Sequence, residues 1–249
     1  MLAAERRQII LETLRRDRAV AVSELARRFE MTEETVRRDL HKLEKEGLLN
    51  RTHGGAVAGD LEDLPYPTRQ ATNIEAKRRI AVLAARLIAS GSAVMLDSSS
   101  TAFEVLPRLK DHSDLTLITN SVRIIASSDV TDHAILSVGG ELRRRSMTFV
   151  GPLARQAIGQ FTADYALISC KALSRTGGVM DASVPDAEIK RAFIASARRV
   201  CLLADGDKFD GSALIEVCAL DRIHTVITDR APSEAWQAYL AENRVELLY

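Results

Sequence analysis

Apolar residues in the first 57 positions recur with the spacing of three short helices. Residues 9–14 carry the first apolar face, and "SELARRF" carries the second. In "TVRRDLHKL", Val36, Leu40 and Leu43 lie at i, i+4 and i+7, which places them on one face of a third helix. The pattern therefore predicts a small helical unit with a single shared core.

Local signals predict where these helices begin and end. Ser23 and Thr32 are predicted N-caps of the second and third helices, because a hydroxyl there can accept a backbone N–H. Gly47 is predicted to end the third helix. The sequence "LLNRTHGGAV" then predicts two short strands around a turn that ends in Gly54–Gly55. Three helices and a hairpin predict a winged helix-turn-helix domain over residues 1–57.

The remainder of the chain has a different pattern. Residues 58–73 are polar, contain Pro65 and Pro67 and lack periodicity, which predicts a linker. Over residues 74–249, helical patterns alternate with short apolar runs such as "SAVMLD", "LTLITN", "ADYALISC" and "VCLLAD". This alternation predicts an α/β domain with a mostly parallel sheet and helices on both faces. In such sheets, ligands bind at the carboxyl ends of the strands.

Composition limits the possible functions. The 34 Lys/Arg and 34 Asp/Glu residues give a formal net charge of +0, so attraction to nucleic acid has to come from a local patch. Cys170, Cys201 and Cys218 lie far apart in apolar runs, which predicts buried thiols in a reducing compartment rather than disulfides or a metal site. The sequence also shows no signal peptide and no membrane span. We therefore expect a cytoplasmic protein that needs no metal or cofactor.

The solvent-facing side of the predicted third helix carries the residue types that read DNA. Thr35, Arg37 and Arg38 lie in its N-terminal part, which helix-turn-helix proteins insert into the major groove. Arginine contacts guanine edges or phosphates, and threonine contacts a thymine methyl group or a phosphate. Together with the helix starts and the wing, the DNA-binding candidates are Ser23, Thr32, Thr35, Arg37, Arg38, His41, Lys42, Arg51, His53 and Gly54.

An ordinary solvated helix explains the same charges. Residues 1–58 contain twelve Lys/Arg against ten Asp/Glu, so this region has little excess positive charge. The arginines could simply pair with Glu33, Glu34 or Asp39 on the helix surface. The helical wheel alone does not decide between a DNA-reading helix and a solvated one.

Polar loops follow several predicted strands of the second part. In "MLDSSSTAFEVL", a strand runs into four hydroxyl residues and a helix, which favours phosphate binding at the helix N-terminus. A plain N-cap is the alternative. Lysines at strand ends can pair with a phosphate, although surface charge is the simpler interpretation and the favoured one for Lys190. The effector-binding candidates are Asp97, Ser98, Ser99, Ser100, Thr101, Asn120, Ser121, Gly139, Gly140, Lys171, Asp181, Glu188 and Lys208.

The stretch "VSELARRFEMTEETVRRDLHKLEKEGLLNRTHGGAV" closely resembles the N-terminal signature of DeoR-type bacterial transcriptional regulators. Nearly the whole chain shares the resemblance, because the linker and the C-terminal part look like the family's effector domain. The resemblance implies that Thr35, Arg37 and Arg38 belong to the DNA-reading helix. It also implies a homo-oligomer, a dimer or tetramer, that binds operator double-stranded DNA and represses a carbohydrate catabolic operon.

The same resemblance implies a C-terminal domain similar in fold to ribose-5-phosphate isomerase and the coenzyme A transferases. Such domains sense a phosphorylated sugar or related metabolite. The "DSSST" turn would then hold the phosphate, with Asn120, Lys171, Asp181, Glu188 and Lys208 as candidates around the sugar. Many relatives have a glycine-rich segment where this chain has "SCKAL", so the identity of the effector cannot be transferred.

Two other functions compete with transcriptional regulation. A sugar-phosphate isomerase with a DNA-binding appendage would need a positioned base. Asp97, Asp181 and Glu188 are available, but no motif places one of them beside a catalytic lysine. A thiol redox sensor is the weaker alternative, because the cysteines lack neighbouring bases apart from Lys171 beside Cys170. We therefore assign no catalytic residue and predict a regulator rather than an enzyme.

Overall fold

The structure is a computed structural model that describes residues 3–17, 19–45, 49–52, 54–57, 66–144 and 146–249. Gly47 and His53 lie outside these ranges, and so does the first half of the predicted linker. The chain divides into two compact units, Met1–Pro65 and Tyr66–Tyr249. Each unit has its own hydrophobic clusters.

The N-terminal unit contains the predicted three helices and hairpin. Its elements in chain order are α1 (Ala3–Asp17), β1 (Ala19–Ala21), α2 (Val22–Phe29), α3 (Glu33–Lys45), β2 (Asn50–Thr52) and β3 (Gly55–Val57). The strands form an antiparallel sheet in the order β1-β3-β2. The winged helix-turn-helix prediction is confirmed, and strand β1 is an addition that the sequence pattern did not predict.

The apolar spacing of the helices explains the core of this unit. Ile10, Leu25, Val36 and Leu40 are almost fully buried, one stripe from each helix. Strand β1 closes the core against β3, and the close approach of the two backbones requires Gly55. A Cβ at Gly55 would lie 1.9 Å from a carbonyl oxygen of β1.

The C-terminal unit alternates helices and strands. Its elements in chain order are α4 (Tyr66–Ala71), α5 (Ile74–Leu87), β4 (Ala93–Leu96), α6 (Ser100–Phe103), β5 (Thr116–Thr119), α7 (Val122–Ala126), β6 (Ala134–Ser137), β7 (Glu141–Arg143), β8 (Thr148–Val150), α8 (Gly151–Ile158), β9 (Ala163–Ser169), β10 (Ala172–Ser174), β11 (Gly178–Asp181), α9 (Val184–Ser196), β12 (Ala197–Leu203), β13 (Ile215–Cys218), β14 (Thr225–Ile227), α10 (Glu234–Glu242) and β15 (Glu246–Leu248). Among the described residues, no helix has the length and apolar composition needed to cross a membrane.

Seven strands form one parallel sheet in the order β15-β14-β12-β9-β4-β5-β6. Successive side chains of a strand point to opposite faces. In β4, Met95 therefore lies in one hydrophobic cluster, while Val94 and Leu96 lie in the other. The inner strands are buried on both faces and are therefore continuous apolar runs in the sequence. The predicted α/β fold with a mostly parallel sheet is confirmed.

Two features of this unit differ from the sequence-based prediction. Strands β10, β11 and β13 form a small antiparallel sheet, and β7 pairs with β8 in a hairpin. The linker prediction is wrong for its second half, since Tyr66–Ala71 is a helix of the C-terminal unit and Tyr66 is buried. Pro67 suggested a loop, but it lies in the first turn of α4, where its missing N–H breaks no helical hydrogen bond.

The sheet determines where a ligand can bind. Strands β12, β9, β4 and β5 are neighbours and parallel, so their carboxyl ends lie along the same edge. The segments that follow them contain Asp97, Asn120, Cys170 and Asp205. The sheet therefore brings together loops that are more than a hundred residues apart in sequence.

Candidate nucleic-acid interface and effector pocket

Helix α3 presents the predicted DNA-binding side chains to solvent. Thr35 is half-buried, and the remaining candidates on the helix and at its start are exposed, namely Thr32, Arg37, Arg38, His41 and Lys42. Val36 and Leu40 are fully buried on the opposite side. The apolar face of α3 therefore anchors the helix to its unit, and the polar face is accessible along its length.

The two arginines form the ion pairs that a solvated helix would have. Arg37 Nη2 lies 2.6 Å from Glu33 Oε2, and Arg38 Nε lies 3.4 Å from Glu34 Oε1. Exposed pairs at this spacing contribute only about 0.3–0.5 kcal/mol. A phosphate or a base edge could therefore replace either glutamate at little cost.

The two predicted N-caps have different outcomes. Thr32 is confirmed, because its Oγ1 accepts a hydrogen bond from the backbone N of Thr35 at 3.3 Å. Ser23 is wrong as a cap, since α2 begins at Val22 and its cap residue makes no side-chain hydrogen bond. Val22 is buried, and its backbone N donates to Gly54 O at 2.9 Å, so the hairpin fixes the helix start one residue early. Ser23 is left exposed in the first turn.

Arg51 connects the hairpin to α3. Its backbone N donates to Glu44 Oε1 at 3.2 Å, and its Nη1 lies 3.8 Å from Glu44 Oε2 and 3.4 Å from His41 Nδ1. These contacts hold the wing beside the polar face of the helix. A Cβ at Gly54 would meet no atom within 4 Å, so packing does not require this glycine. His53, the other wing candidate, lies outside the described residues.

In the C-terminal unit, Asp97 connects the carboxyl ends of β4 and β9. The residue is buried, and its Oδ1 accepts a hydrogen bond from Ser99 N at 2.9 Å. Its Oδ2 accepts one from Ser169 N, also at 2.9 Å. A carboxylate held by two backbone N–H groups fixes the shape of both loops.

The hydroxyl residues after β4 are partly engaged within the protein. Ser99 Oγ accepts the backbone N–H three residues further on at 3.0 Å and so caps α6. Ser100 Oγ donates to the carbonyl oxygen of Arg69 at 3.2 Å. Thr101 is buried. The simpler N-cap interpretation therefore holds for Ser99, and phosphate binding by this turn stays a prediction.

Lys190 lies at the carboxyl edge of the large sheet rather than on the protein surface. It is buried, its ammonium donates to the carboxylate of Asp181, and it lies 3.6 Å from Asp97 Oδ2. Burial lowers the pKa of Lys190, but the two carboxylates outweigh burial and hold that pKa above its usual value. Burial raises the pKa of Asp181, yet Lys190 holds it below its usual range. The surface-charge interpretation of Lys190 is wrong.

Glu188 does not join this charged group. Glu188 is two residues before Lys190, so the two side chains leave α9 on different sides. It pairs instead with Arg155 of α8 at 3.6 Å. Lys171 lies just before β10, with its backbone N bonded to Met180 O at 2.9 Å and its side chain exposed.

Lys208 reaches the same edge from the segment after β12. Its Nζ donates to Ser169 Oγ at 2.7 Å and lies 3.7 Å from Asp205 Oδ2. The backbone N of Ser169 donates to Asp97, so a chain of contacts runs from Lys208 to Asp97 and on to Lys190. The effector candidates Asp97, Asp181 and Lys208 are thus joined in one polar network.

Other candidates serve the local structure. Asn120 is buried, and its Nδ2 donates to a backbone carbonyl oxygen at 3.0 Å, whereas its Oδ1 has no hydrogen-bond partner among the described residues. Ser121 Oγ accepts the backbone N–H of Ile124 at 3.4 Å and caps α7. Gly139 and Gly140 have φ values of 64° and 114°. A Cβ at Gly140 would lie 2.7 Å from a carbonyl oxygen of β8, so packing alone explains this glycine.

Comparison with protein families assigns both units. Residues 6–61 match the DeoR-like helix-turn-helix domain, and residues 72–230 match the DeoR C terminal sensor domain. The chain belongs to the DeoR family. It is a DNA-binding transcriptional regulator whose C-terminal unit is a sensor domain, as the resemblance of its sequence implied.

Relatives of this DeoR-family chain are transcriptional regulators rather than enzymes. The chain is 35% identical to the transcriptional repressor AccR of Agrobacterium fabrum, over 90% of this chain and 89% of the relative. It is 30% identical to the glycerol-3-phosphate regulon repressor of Escherichia coli, over 99% of both chains. It is 31% identical to the L-fucose operon activator of Haemophilus influenzae, over 96% of this chain and 97% of the relative.

Solved structures that partly resemble this chain include a ribose 5-phosphate isomerase and a translation initiation factor. Ribose 5-phosphate isomerase A from Methanocaldococcus jannaschii matches with a TM-score of 0.41 and 14% identity, over 55% of each chain. Translation initiation factor eIF-2B from Pyrococcus horikoshii matches with a TM-score of 0.46 and 16% identity, over 63% of each chain. Likeness of this degree concerns the fold alone.

The cysteines of this DeoR-family regulator have the properties of structural residues. Burial raises the pKa of Cys170 to about 11, of Cys201 to about 11 and of Cys218 to about 12. Because the thiolate is the reactive form, these thiols react slowly at neutral pH. Within the described residues, no group of His, Cys, Asp and Glu side chains could hold a metal ion. The thiol-sensor alternative therefore has no structural support.

Sequence reasoning did not identify four residues near the carboxyl edge of the large sheet, namely Tyr66, Arg69, Lys77 and Arg123. Lys77 is buried, and its Nζ donates to the carbonyl oxygens of Arg69 and Thr72. Burial, followed by the charge of Lys208, lowers the pKa of Lys77 to about 8. The available signal was its position three residues before Ile80, on the apolar face of a predicted helix.

Proposed function

We propose that this regulator represses a carbohydrate catabolic operon and releases its operator when a phosphorylated sugar or related metabolite binds the C-terminal unit. The observation that carries the proposal is the polar network of Asp97, Asp181, Lys190 and Lys208 at the carboxyl edge of the sheet. The relatives named for glycerol-3-phosphate and L-fucose regulation support a carbohydrate-derived effector.

The chemistry of this edge suits a ligand with both hydroxyl groups and negative charge. Lys208 is held mainly by a neutral hydroxyl, because its nearest carboxylate is 3.7 Å away. Its ammonium can therefore turn to an anionic ligand group. The free Oδ1 of Asn120 and the carboxylate of Asp205 can accept hydrogen bonds from sugar hydroxyls.

Release of DNA requires a difference in effector affinity between two arrangements of the protein. An effector that bound the DNA-competent and incompetent forms equally would shift nothing. We infer that the protein acts as a homo-oligomer, a dimer or tetramer, because helix-turn-helix proteins commonly place two reading helices in successive major grooves. The effector would then change how the two reading helices are spaced.

We propose that Thr35, Arg37 and Arg38 contact bases and phosphates of the operator. His41, Lys42 and the wing make flanking contacts. Arg38 is more exposed than Arg37, with 80% of its side-chain surface exposed against 49%. Glu33 and Glu34 limit the net positive charge of the helix. Low charge keeps non-specific affinity small, which allows a metabolite to release the protein.

Replacing Arg38 with alanine is expected to weaken operator binding by about 1–3 kcal/mol without unfolding the protein. The arginine is exposed and pairs with the exposed Glu34, so its removal leaves the core of the unit unaffected. Fluorescence anisotropy at fixed salt, with an operator selected from random-sequence DNA, measures the change. Arg79→Ala, an exposed arginine of the C-terminal unit, is the control. Unchanged affinity of Arg38→Ala would remove Arg38 from the reading residues.

Lys208→Ala is expected to weaken effector binding by about 1.5–3 kcal/mol, the usual loss for a hydrogen bond to a charged group. A thermal-shift screen of wild-type protein over phosphorylated pentoses, hexoses and trioses first identifies the effector, since a ligand that binds only the folded state raises the unfolding temperature. The screen is repeated with operator DNA to detect release. Lys110→Ala, an exposed lysine, is expected to behave as wild type.

Two outcomes would contradict the proposal. If no phosphorylated metabolite stabilises the wild-type protein or releases its DNA, the sensor function is wrong. If an effector is found but Lys208→Ala and Lys110→Ala bind it equally well, the site does not include Lys208. Both outcomes are independent of the operator-binding measurement on Arg38.

The alternative of an isomerase with a DNA-binding appendage is poorly supported by this geometry. A general base needs a carboxylate that is free to accept a proton. Asp97 is held by two backbone N–H groups, Asp181 is paired with Lys190, and Glu188 is paired with Arg155. Incubation with pentose and hexose phosphates should therefore give no turnover.

A further inference from the structure

Two arginines of the C-terminal unit share one buried aromatic ring. The guanidinium carbon of Arg69 lies 5.3 Å from the centre of the Tyr66 ring, and that of Arg123 lies 4.4 Å from it. Tyr66 is 1% exposed, and its ring packs edge-on against Phe103 with 6.2 Å between the ring centres. Helices α4, α6 and α7 therefore meet around the Tyr66 ring, and two positively charged guanidinium groups lie beside that ring.

These cations have no anionic partner in the part of the chain that the structure describes. Among the described residues, the Nε atoms of Arg69 and Arg123 and the hydroxyl of Tyr66 are all buried without a hydrogen-bond partner. Other arginines of the same unit, such as Arg78 and Arg155, pair with glutamates. Buried donors without an acceptor destabilise a protein, so three of them around one ring indicate a missing acceptor.

The cluster of Tyr66, Arg69 and Arg123 lies beside the carboxyl edge of the large sheet and contacts two of its loops. The carbonyl oxygen of Arg69 accepts hydrogen bonds from Ser100 Oγ and from Lys77 Nζ, which ties α4 to the turn after β4. Arg123 lies three residues after Asn120 in the chain. The Oδ1 of Asn120 is also buried and has no hydrogen-bond partner among the described residues. The unsatisfied donors of the cluster and the unsatisfied acceptor of Asn120 thus flank the same loops.

We propose that Arg69 and Arg123 bind the phosphate group of the effector, with the Tyr66 hydroxyl as a third donor. The guanidinium group is suited to this task because its planar fork binds phosphate oxygens in pairs. The inference rests on the proposed function for the existence of an effector. In this proposal the phosphate binds to Arg69 and Arg123 instead of the hydroxyl turn at residues 98–101.

A doubly charged anion explains the arrangement better than a purely structural cluster does. Two like charges on one ring repel each other, and the ring attracts each of them only weakly. If the arginines served only to pack against Tyr66, removing one would destabilise the unliganded protein. If they serve a ligand, removing one relieves repulsion, leaves the unliganded protein as stable or more so, and abolishes the response to phosphate.

Thermal unfolding of the full chain in inorganic phosphate tests the assignment. Wild-type protein is titrated with phosphate and, at equal ionic strength, with chloride, and we expect phosphate to raise the unfolding temperature further. Arg123→Gln and the double variant Arg69→Gln/Arg123→Gln should begin at or above the wild-type unfolding temperature and show at least a tenfold weaker apparent affinity for phosphate. Arg86→Gln, an exposed arginine of α5, should respond as wild type.

Two further variants test the Tyr66 hydroxyl separately and keep the experiment decisive if the glutamine variants do not fold. Tyr66→Phe removes only the unpartnered hydroxyl, so it should unfold like wild type without phosphate and respond to phosphate more weakly. Arg69→Lys/Arg123→Lys retains both charges without the planar forks, so it should fold even if the glutamine variants do not. Its response to phosphate should be reduced but present.

The proposal is overturned if wild-type protein responds equally to phosphate and chloride. It is also overturned if the double glutamine or lysine variant keeps the full phosphate response, since the arginines would then be structural only. A phosphate response that is lost in the variants, together with a sugar-phosphate screen that finds no effector, would instead refute the proposed function and leave the arginine site in place.

Discussion

Replacing Lys190 with methionine is expected to destabilise the C-terminal unit by about 3–5 kcal/mol, the loss seen when one partner of a buried ion pair is removed. Methionine has a similar volume, so little of the effect comes from a cavity. The loss arises because Asp97 and Asp181 would remain buried beside each other without a cation. Urea unfolding of the full chain at neutral pH, followed by circular dichroism, measures the change.

The dependence of this loss on pH follows from Asp181. In the wild-type protein, Lys190 holds the pKa of Asp181 below its usual range although burial raises it, so the contribution of the pair is present at neutral pH and is lost as the pH falls through the folded-state pKa. In Lys190→Met, protonation of a carboxylate instead relieves the repulsion. The stability difference between the two proteins should therefore be largest near pH 7 and smaller near about pH 4.

Lys110→Met is the matched control, because Lys110 is exposed. Its free energy of unfolding should stay within about 0.5 kcal/mol of the wild-type value. A Lys190→Met variant that unfolds like Lys110→Met would show that the buried network contributes nothing to stability. A difference that grows towards acid pH would show that the assigned charge states are wrong.

The fold could be predicted from the sequence because its signals are local or repetitive. Buried parallel strands appear as apolar runs such as "SAVMLD" and "VCLLAD", and each run became a strand of the large sheet. The short antiparallel additions could not be predicted, because β7, β8 and β10 are three-residue strands that depend on their pairing partners. Strand β1 escaped prediction for the same reason.

The candidate site was only partly predictable, because its side chains are selected by tertiary contacts. Lys190 shares the buried side of α9 with Ala187 and Phe193, but its two carboxylate partners come from β11 and from the segment after β4, which the sequence pattern does not bring together. Ser23 has the chemistry of an N-cap, but the hydrogen bond from Val22 to the hairpin starts the helix earlier. Arg69 lay in a predicted linker, so its proximity to Tyr66 and Arg123 had no sequence signal.

Replacing Asp39 with alanine is expected to destabilise the N-terminal unit by about 3–5 kcal/mol and so to abolish operator binding. Asp39 does not pair with the reading arginines. Its Oδ2 lies 2.5 Å from Arg6 Nε, and both residues are buried between α1 and α3, with Arg7 4.0 Å from the other carboxylate oxygen. Without Asp39, the Arg6 guanidinium would remain buried without its anion.

The comparison with Arg37→Ala separates stability from DNA contact. Arg37 pairs with Glu33 on the exposed surface, so its loss should change stability by less than about 0.5 kcal/mol while weakening DNA binding. Asp39→Ala should instead lower the urea midpoint of the N-terminal unit, and its DNA affinity should recover when binding is measured at a lower temperature, where more of that unit is folded. The double variant Arg6→Met/Asp39→Leu should restore much of the lost stability, because it replaces both charges with apolar groups of similar size. If the double variant is as unstable as Asp39→Ala, the ion pair is not the cause of the loss.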